Sequence, residues 1–304
     1  MSNQKMGSVQ IHTFPLPPKD FDPLKASAEE LQRYGFPRRP DAMMETHAAS
    51  KWVEAFRKYP GFTHITPEFK DLPHRRGPNK RTEAETKGNV NATSSNWSGY
   101  VLFIGGGDSF TWVTGQWTVP RAYSPNPGDG NTYYSSAWLG IDGDGSGDVM
   151  QAGTESDSDG TCYAWFEWFP DWSHGINNFP VNPGDVISLV LCATSSTTAW
   201  MSIGNMTSKI YTNFSFTAPA GTTLIGNCAE AVVERPEING MLAELPRYGE
   251  IFFDDFTAYT ANGNHFDIDS GTSISMVANN GVTVISDPTL EGSGDMASCA
   301  YTGP

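Results

Sequence analysis

Basic side chains are scarce, and the shortage is uneven. The chain has 304 residues, with 19 Lys+Arg against 34 Asp+Glu. Residues 1–93 hold 15 basic and 11 acidic side chains, a net of +4, whereas residues 94–304 hold 4 and 23, a net of −19. Four cations cannot coat a phosphate backbone, so nucleic acid is excluded as a partner of the acidic part. Strong acidity suits work at low pH, where many carboxylates are protonated. Long apolar runs are missing too. No stretch approaches the roughly 18 apolar residues of a spanning helix, so no membrane partner is expected. The N-terminus, Met1-Ser-Asn-Gln-Lys-Met-Gly7, lacks the apolar core of a secretory signal, which leaves the compartment open.

Cysteine is rare. Cys162, Cys192, Cys228 and Cys299 form no Cys-x-x-Cys, which argues against a zinc or dithiol redox site. Two disulfides and four buried thiols both stay open. The six histidines are scattered without His-Glu-x-x-His, so a zinc hydrolase is not supported. Gly-x-Ser-x-Gly is absent, and the chain does not hold the two Asp-Thr/Ser-Gly loops that a paired-aspartate mechanism needs. The stretch Asp142-Gly-Asp-Gly-Ser-Gly-Asp148 opens like a calcium loop, but its twelfth position falls on Gly153 and no helices flank it. It reads as a Gly/Asp turn, with a different cation site using Glu155 or Asp157 as the alternative. No metal or cofactor is expected.

What is present points to many short strands. Charged residues make up only 17%, while 31 glycines, 21 prolines and 12% aromatics suit an all-β chain rich in turns. Residues 1–20 are Pro-rich and extended. Ser27, three residues before Glu30, is a capping-box signature for a helix over 28–34. Trp52, Val53 and Phe56 mark a second helix within Met44–Tyr59. The basic, polar run from His74 to Lys87 reads as an exposed linker ending near Ser94. Strands follow: Trp112–Val119, Tyr163–Phe169, Val186–Cys192, Trp200–Ile203, Ile210–Phe216, Ile251–Thr257, and a hairpin around Asn279-Asn-Gly281. The expectation is a basic segment over 1–93 and a two-sheet antiparallel β-sandwich over 94–304.

Two side chains stand out in strand-like stretches, Gln151 and Glu230. Burying a carboxylate is costly unless it is paired, so Glu230 in an apolar run calls for a reason. Around them, in order, stand Ser95-Asn-Trp97-Ser-Gly, Val119-Pro, Ser136-Ala-Trp138-Leu-Gly-Ile-Asp142-Gly, Met150-Gln151-Ala-Gly, Ala164-Trp-Phe-Glu167-Trp-Phe-Pro-Asp171, Gly184-Asp185 and Ala229-Glu230-x-x-Val-Glu234-Arg-Pro236. Together these seven motifs resemble the glutamic peptidases of family G1, the eqolisins, over about residues 94–300.

The resemblance implies a concanavalin-like (jelly-roll) β-sandwich and an acid-acting, pepstatin-insensitive endopeptidase without metal or cofactor. It implies a catalytic dyad of Gln151 and Glu230, with Trp97 and Trp138 lining the substrate cleft and Asp142 and Glu167 hydrogen-bonding around the dyad. Protein or peptide substrates, a monomer, an extracellular location and a removable pro-segment over 1–93 follow from it as well. Two positions depart from the family pattern: Tyr163 stands where an acid is common, and Ala231 where an aromatic usually follows the glutamate. Both bear on cleft shape. Four glycosylation sequons occur, at Asn91, Asn96, Asn205 and Asn213, of which Asn96 lies inside a cleft motif. The rival readings are a lectin-like carbohydrate-binding sandwich and a glycoside hydrolase using Glu167 or Glu230. Glu167 has no acidic neighbour two residues away to complete such a pair.

Overall fold

A computed structural model describes residues 2–43, 46–82, 92–292 and 294–304. Two layers of antiparallel strands face each other. In the first, neighbouring strands run His174–Ile176, Cys162–Phe169, Val149–Ser156, Ser136–Ile141, Cys228–Glu234, Trp97–Phe103 and Thr272–Val277. In the second they run Glu250–Thr260, Phe110–Thr118, Val186–Ser195, Thr198–Asn205 and Ile210–Thr217. The strands Val284–Glu291 and Met296–Tyr301 carry the ladder from one layer to the other. This is the expected all-β sandwich.

Period-two alternation sorts each strand between two faces. In Ser136–Ile141, the side chains Ala137, Leu139 and Ile141 enter the main core with Met150, Ala152, Phe166, Trp168, Ala229 and Val233 from neighbouring strands. Ser136, Trp138 and Gly140 therefore point the other way. The same phase puts Gln151, Glu155, Trp165, Glu167, Glu230, Val232 and Glu234 on that opposite face.

The N-terminal segment covers this face and both sheet edges. Its first hairpin, Ser2–Met6 with Val9–Thr13, adds to the edge strand Ile210–Thr217. Thr63–His64 runs parallel to the start of the same edge strand, and Phe69–Asp71 pairs with His174–Ile176 at the edge of the first layer. Helix α1 (Ala28–Arg33) carries the expected capping box: Ser27 Oγ accepts from Glu30 N–H at 3.2 Å, and Glu30 accepts from Ser27 N–H at 2.8 Å. Helix α2 (Thr46–Phe56) supplies Trp52, Ala55 and Phe56 to a second apolar cluster with Val190, Trp200 and Tyr211 of the sandwich. Met44 and Glu45, at the expected start of α2, lie outside the described residues.

Two expectations need correction. The Pro-rich stretch 1–20 is extended, but as a paired hairpin over residues 2–13. More consequentially, although Lys80 and Arg81 beyond them are exposed, residues 74–79 are not an exposed linker. They thread across the polar face of the first layer, and Arg76 is 0% exposed. The cause is charge pairing: the cations of this run meet acidic partners supplied by the domain. Residues 83–91, with the rest of the expected linker and Asn91, lie outside the described residues. All four cysteines are free thiols.

Candidate active site

Strand register lines up three rows across the first layer. Gly140 is opposite Glu230 on one side and Gln151 on the other, and Gln151 is opposite Glu167. The next row is Val232, Trp138, Gly153 and Trp165; the third is Glu234, Ser136, Glu155 and Tyr163. Glu230 and Gln151 thus sit two strands apart, roughly 10 Å at the backbone, on either side of a residue with no side chain. A Cβ at Gly140 would fall 2.7 Å from Glu230 Oε1 and 2.7 Å from the Trp138 ring. The glycine keeps open the space into which the two polar side chains converge.

Backbone of the N-terminal segment lies over the Gln151 and Glu167 end of this row. Gln151 Nε2 donates to the carbonyl oxygen of Arg76. Arg76 N–H donates to both oxygens of Glu167, at 3.1 Å each. Downstream, Asn79 N–H donates to the Gly143 carbonyl at 2.9 Å, and Arg81 forks onto Asp144 at 2.6 and 2.8 Å. Lys80 pairs with Glu237. Upstream, His74–Arg75 adds to a three-stranded sheet with Glu237–Ile238 and Met241–Leu242, and the Arg75 guanidinium lies over the rings of Phe169 and Trp172.

The carboxyl groups beneath respond to being covered. Both Glu230 oxygens are buried without an ordinary hydrogen-bond partner, and the adjacent Cys228 thiol is too weak a donor to hold a charge there. Burial, reinforced by Asp142, pushes Glu230 well above the usual carboxylate range. Burial likewise pushes Glu167 up to about 8, with Arg76 and Ser173 pulling the other way. Glu234 is raised by burial too. On the segment, burial lowers His74 to about 4, although Glu155 favours its charge; it sits against Tyr134 and accepts or donates at Tyr163 Oη, 2.7 Å away. A fully buried carboxyl with only a weak thiol donor beside it is a functional-site candidate.

Of the residues expected at the site, Gln151, Glu230, Glu167 and Trp138 share one face, and Trp97 meets Trp138 edge to face at 5.0 Å. Asp142 is placed differently. Its carboxylate accepts from the backbone N–H groups of Ile225, Gly226 and Asn227 at 2.7–3.0 Å. It anchors the loop that leads into the Glu230 strand, and its charge acts on Glu230. The calcium alternative for this loop gains no support: Asp144 is engaged by Arg81 and Asn79, and no group of three or more metal-ligating side chains occurs among the described residues. Sequence reasoning missed Arg76, Gly140, Ser136, Glu155 and Ser173. Alternation in phase with Gln151 and Glu230 was a usable signal for Glu155 and Gly140. Arg76 lies 75 residues from Gln151 in sequence and carried none.

Residues 95–301 match the Peptidase A4 family. Aspergillopepsin-2 of Aspergillus niger is 30% identical over 190 residues, 56% of this chain and 66% of that protein. Scytalidopepsin B of Scytalidium lignicola is 29% identical over 215 residues, 68% of this chain and 78% of that protein. Among solved structures, scytalido-glutamic peptidase with a transition state analog inhibitor superposes with a TM-score of 0.61 at 27% identity, covering 68% of this chain and 98% of its own. Aspergilloglutamic peptidase of Aspergillus niger gives 0.51 at 25%, covering 56% and 99%. The fold and the matched relatives define the class of the glutamic peptidases. The chain belongs to the peptidase A4 family.

Proposed function

We propose that the protein is an acid-acting endopeptidase in which Glu230 and Gln151 cleave peptide bonds by direct water attack. The observation that carries this is a peptide carbonyl resting on the Gln151 amide, one strand spacing from Gly140 and across it from an unpaired carboxyl. Glu230, ionised, takes a proton from water as its oxygen attacks the carbonyl carbon. Gln151 donates its amide N–H to the oxyanion that forms. Glu230 then returns the proton to the leaving nitrogen as the C–N bond breaks, giving an acid and an amine. An amide keeps its donor at any acidic pH, unlike a second carboxylate. Pepstatin insensitivity belongs to this proposal, since the sequence does not hold the two Asp-Thr/Ser-Gly loops of a paired-aspartate enzyme.

The segment 1–93 fits a pro-segment. It blocks the cleft, and by excluding water it holds Glu230 in the protonated form that cannot act as a base. Acid loosens it in two ways. His74, facing Tyr134, Tyr163, Glu155 and Arg76, and His64, stacked on Tyr211 near Asn213, take up protons. The ion pairs of residues 75–81 with the acidic domain weaken as carboxylates are neutralised. Glu167 and Glu230, raised by the same coverage, pull in the opposite direction.

The dyad is tested by casein digestion at about pH 3–4 with pepstatin present, comparing wild type with Gln151→Ala and Glu230→Gln. Losses of about 100-fold or more are expected for each; unchanged hydrolysis in either variant removes the dyad. Intact mass after incubation near pH 4 should show loss of the N-terminal segment, and a chain that is still full-length and fully active overturns its inhibitory role.

A further inference from the structure

We propose that the pocket holding the Arg76 side chain is the primary specificity pocket and is built for a guanidinium, so that preferred substrates are peptides cut on the carboxyl side of arginine. This rests on the peptidase reading above and adds the substrate class to it. The residue whose carbonyl sits on the oxyanion donor supplies the side chain just before the scissile bond. Here that residue is Arg76, its carbonyl fixed by Gln151 and its N–H by Glu167.

Each part of the guanidinium has a dedicated partner. Nε donates to Ser136 Oγ at 2.6 Å, Nη1 to Ser173 Oγ at 2.5 Å, and Nη2 to Glu155. The Trp165 ring lies beneath, 3.8 Å from Cζ to its centroid, and Glu167 closes the far side at 3.9 Å from Nη1. A buried guanidinium is tolerable only with such pairing. The converse selects substrates: with an apolar side chain Ser136 still bonds Glu155 and Ser173 still bonds Glu167, but the cation between these carboxyl groups and three charge-assisted bonds are lost. A lysine brings one point charge and cannot satisfy three separated acceptors at once. The contacts to the Trp165 ring and to the two hydroxyls do not depend on a carboxylate and persist in acid.

The full chain, brought to about pH 4, is given matched peptides that differ only in Arg, Lys or Leu before the scissile bond. In parallel, it digests a denatured protein whose new termini are mapped by mass spectrometry. Arginine should exceed leucine in kcat/KM by about tenfold or more, with lysine between, and the mapped cuts should follow arginine. Glu155→Gln should shrink the Arg-to-Leu ratio by a similar factor, and Glu155→Asp should restore part of it. Ser136→Ala, a smaller change, should shrink the ratio less. Leucine cut as fast as arginine, or a ratio unmoved by both Glu155→Gln and Ser136→Ala, overturns the pocket and leaves the peptidase reading standing. No digestion of any substrate overturns the peptidase reading and the pocket with it.

Discussion

Gly140 constrains the chemistry of its neighbours more than its own lack of a side chain suggests. It separates Glu230 from Gln151 in one register row, and any Cβ there collides with Glu230 Oε1 and the Trp138 ring. Gly140→Ala should therefore lower hydrolysis by at least about 100-fold by displacing Glu230, the proposed base, while overpacking costs about 1–3 kcal/mol of stability. Activity and circular dichroism measured on the same preparation check this; a folded, fully active variant refutes it. At this scale the sequence was legible wherever a motif surrounded the residue. Gln151, Glu230, Trp138 and Glu167, each singled out within a motif, lie on one face of the first layer, with Trp97 against Trp138. The partners of Asp142 were not legible: three backbone N–H groups from residues 225–227 bond its carboxylate, and no local pattern announces a partner 83 residues away.

Strands and helices were read more easily, because their signals are local. The Ser27/Glu30 capping box and the strand alternations appear where the sequence placed them. The failure was the run from His74. Its composition suits a solvated linker, and only tertiary ion pairs make it a buried strap. Helix α2 holds that strap's upstream part through Phe56, 0% exposed and packed against Trp52, Tyr59, Trp112 and Trp200. Phe56→Ala should cost about 3–5 kcal/mol. Its effect should fall on the segment first: proteolysis within residues 1–82 at neutral pH should speed up markedly while the sandwich keeps its thermal transition. A uniform fall in both would show the segment and sandwich to be one cooperative unit.

For the molecule as a whole, protons act in two opposed senses. His64 and His74 are held near 4 against an ordinary 6.5. The covered state therefore binds fewer protons than the open one, and the stability these residues give, complete above 6.5, is lost as pH falls from 6.5 to about 4. Glu167, raised from 4.5 to about 8, works the other way: its contribution is complete below 4.5 and is lost as pH rises to about 8. Thermal unfolding of the full chain from pH 4 to 8 should show the acid-side fall flattened by His74→Gln and the alkaline-side fall flattened by Glu167→Gln. Slopes that neither variant changes would show that other groups set them. The way the segment is tethered has a separate consequence. Ile210–Thr217 and His174–Ile176 are boundary strands, and their outer hydrogen-bonding rows are filled by residues 11–13, 63–64 and 69–71. A bare boundary strand recruits other chains. A cut within the cleft would free the strap but not these grafted strands, so the nicked product should migrate as a two-chain particle in gel filtration at neutral pH. Stripping the grafted pieces away with denaturant should leave a core that self-associates.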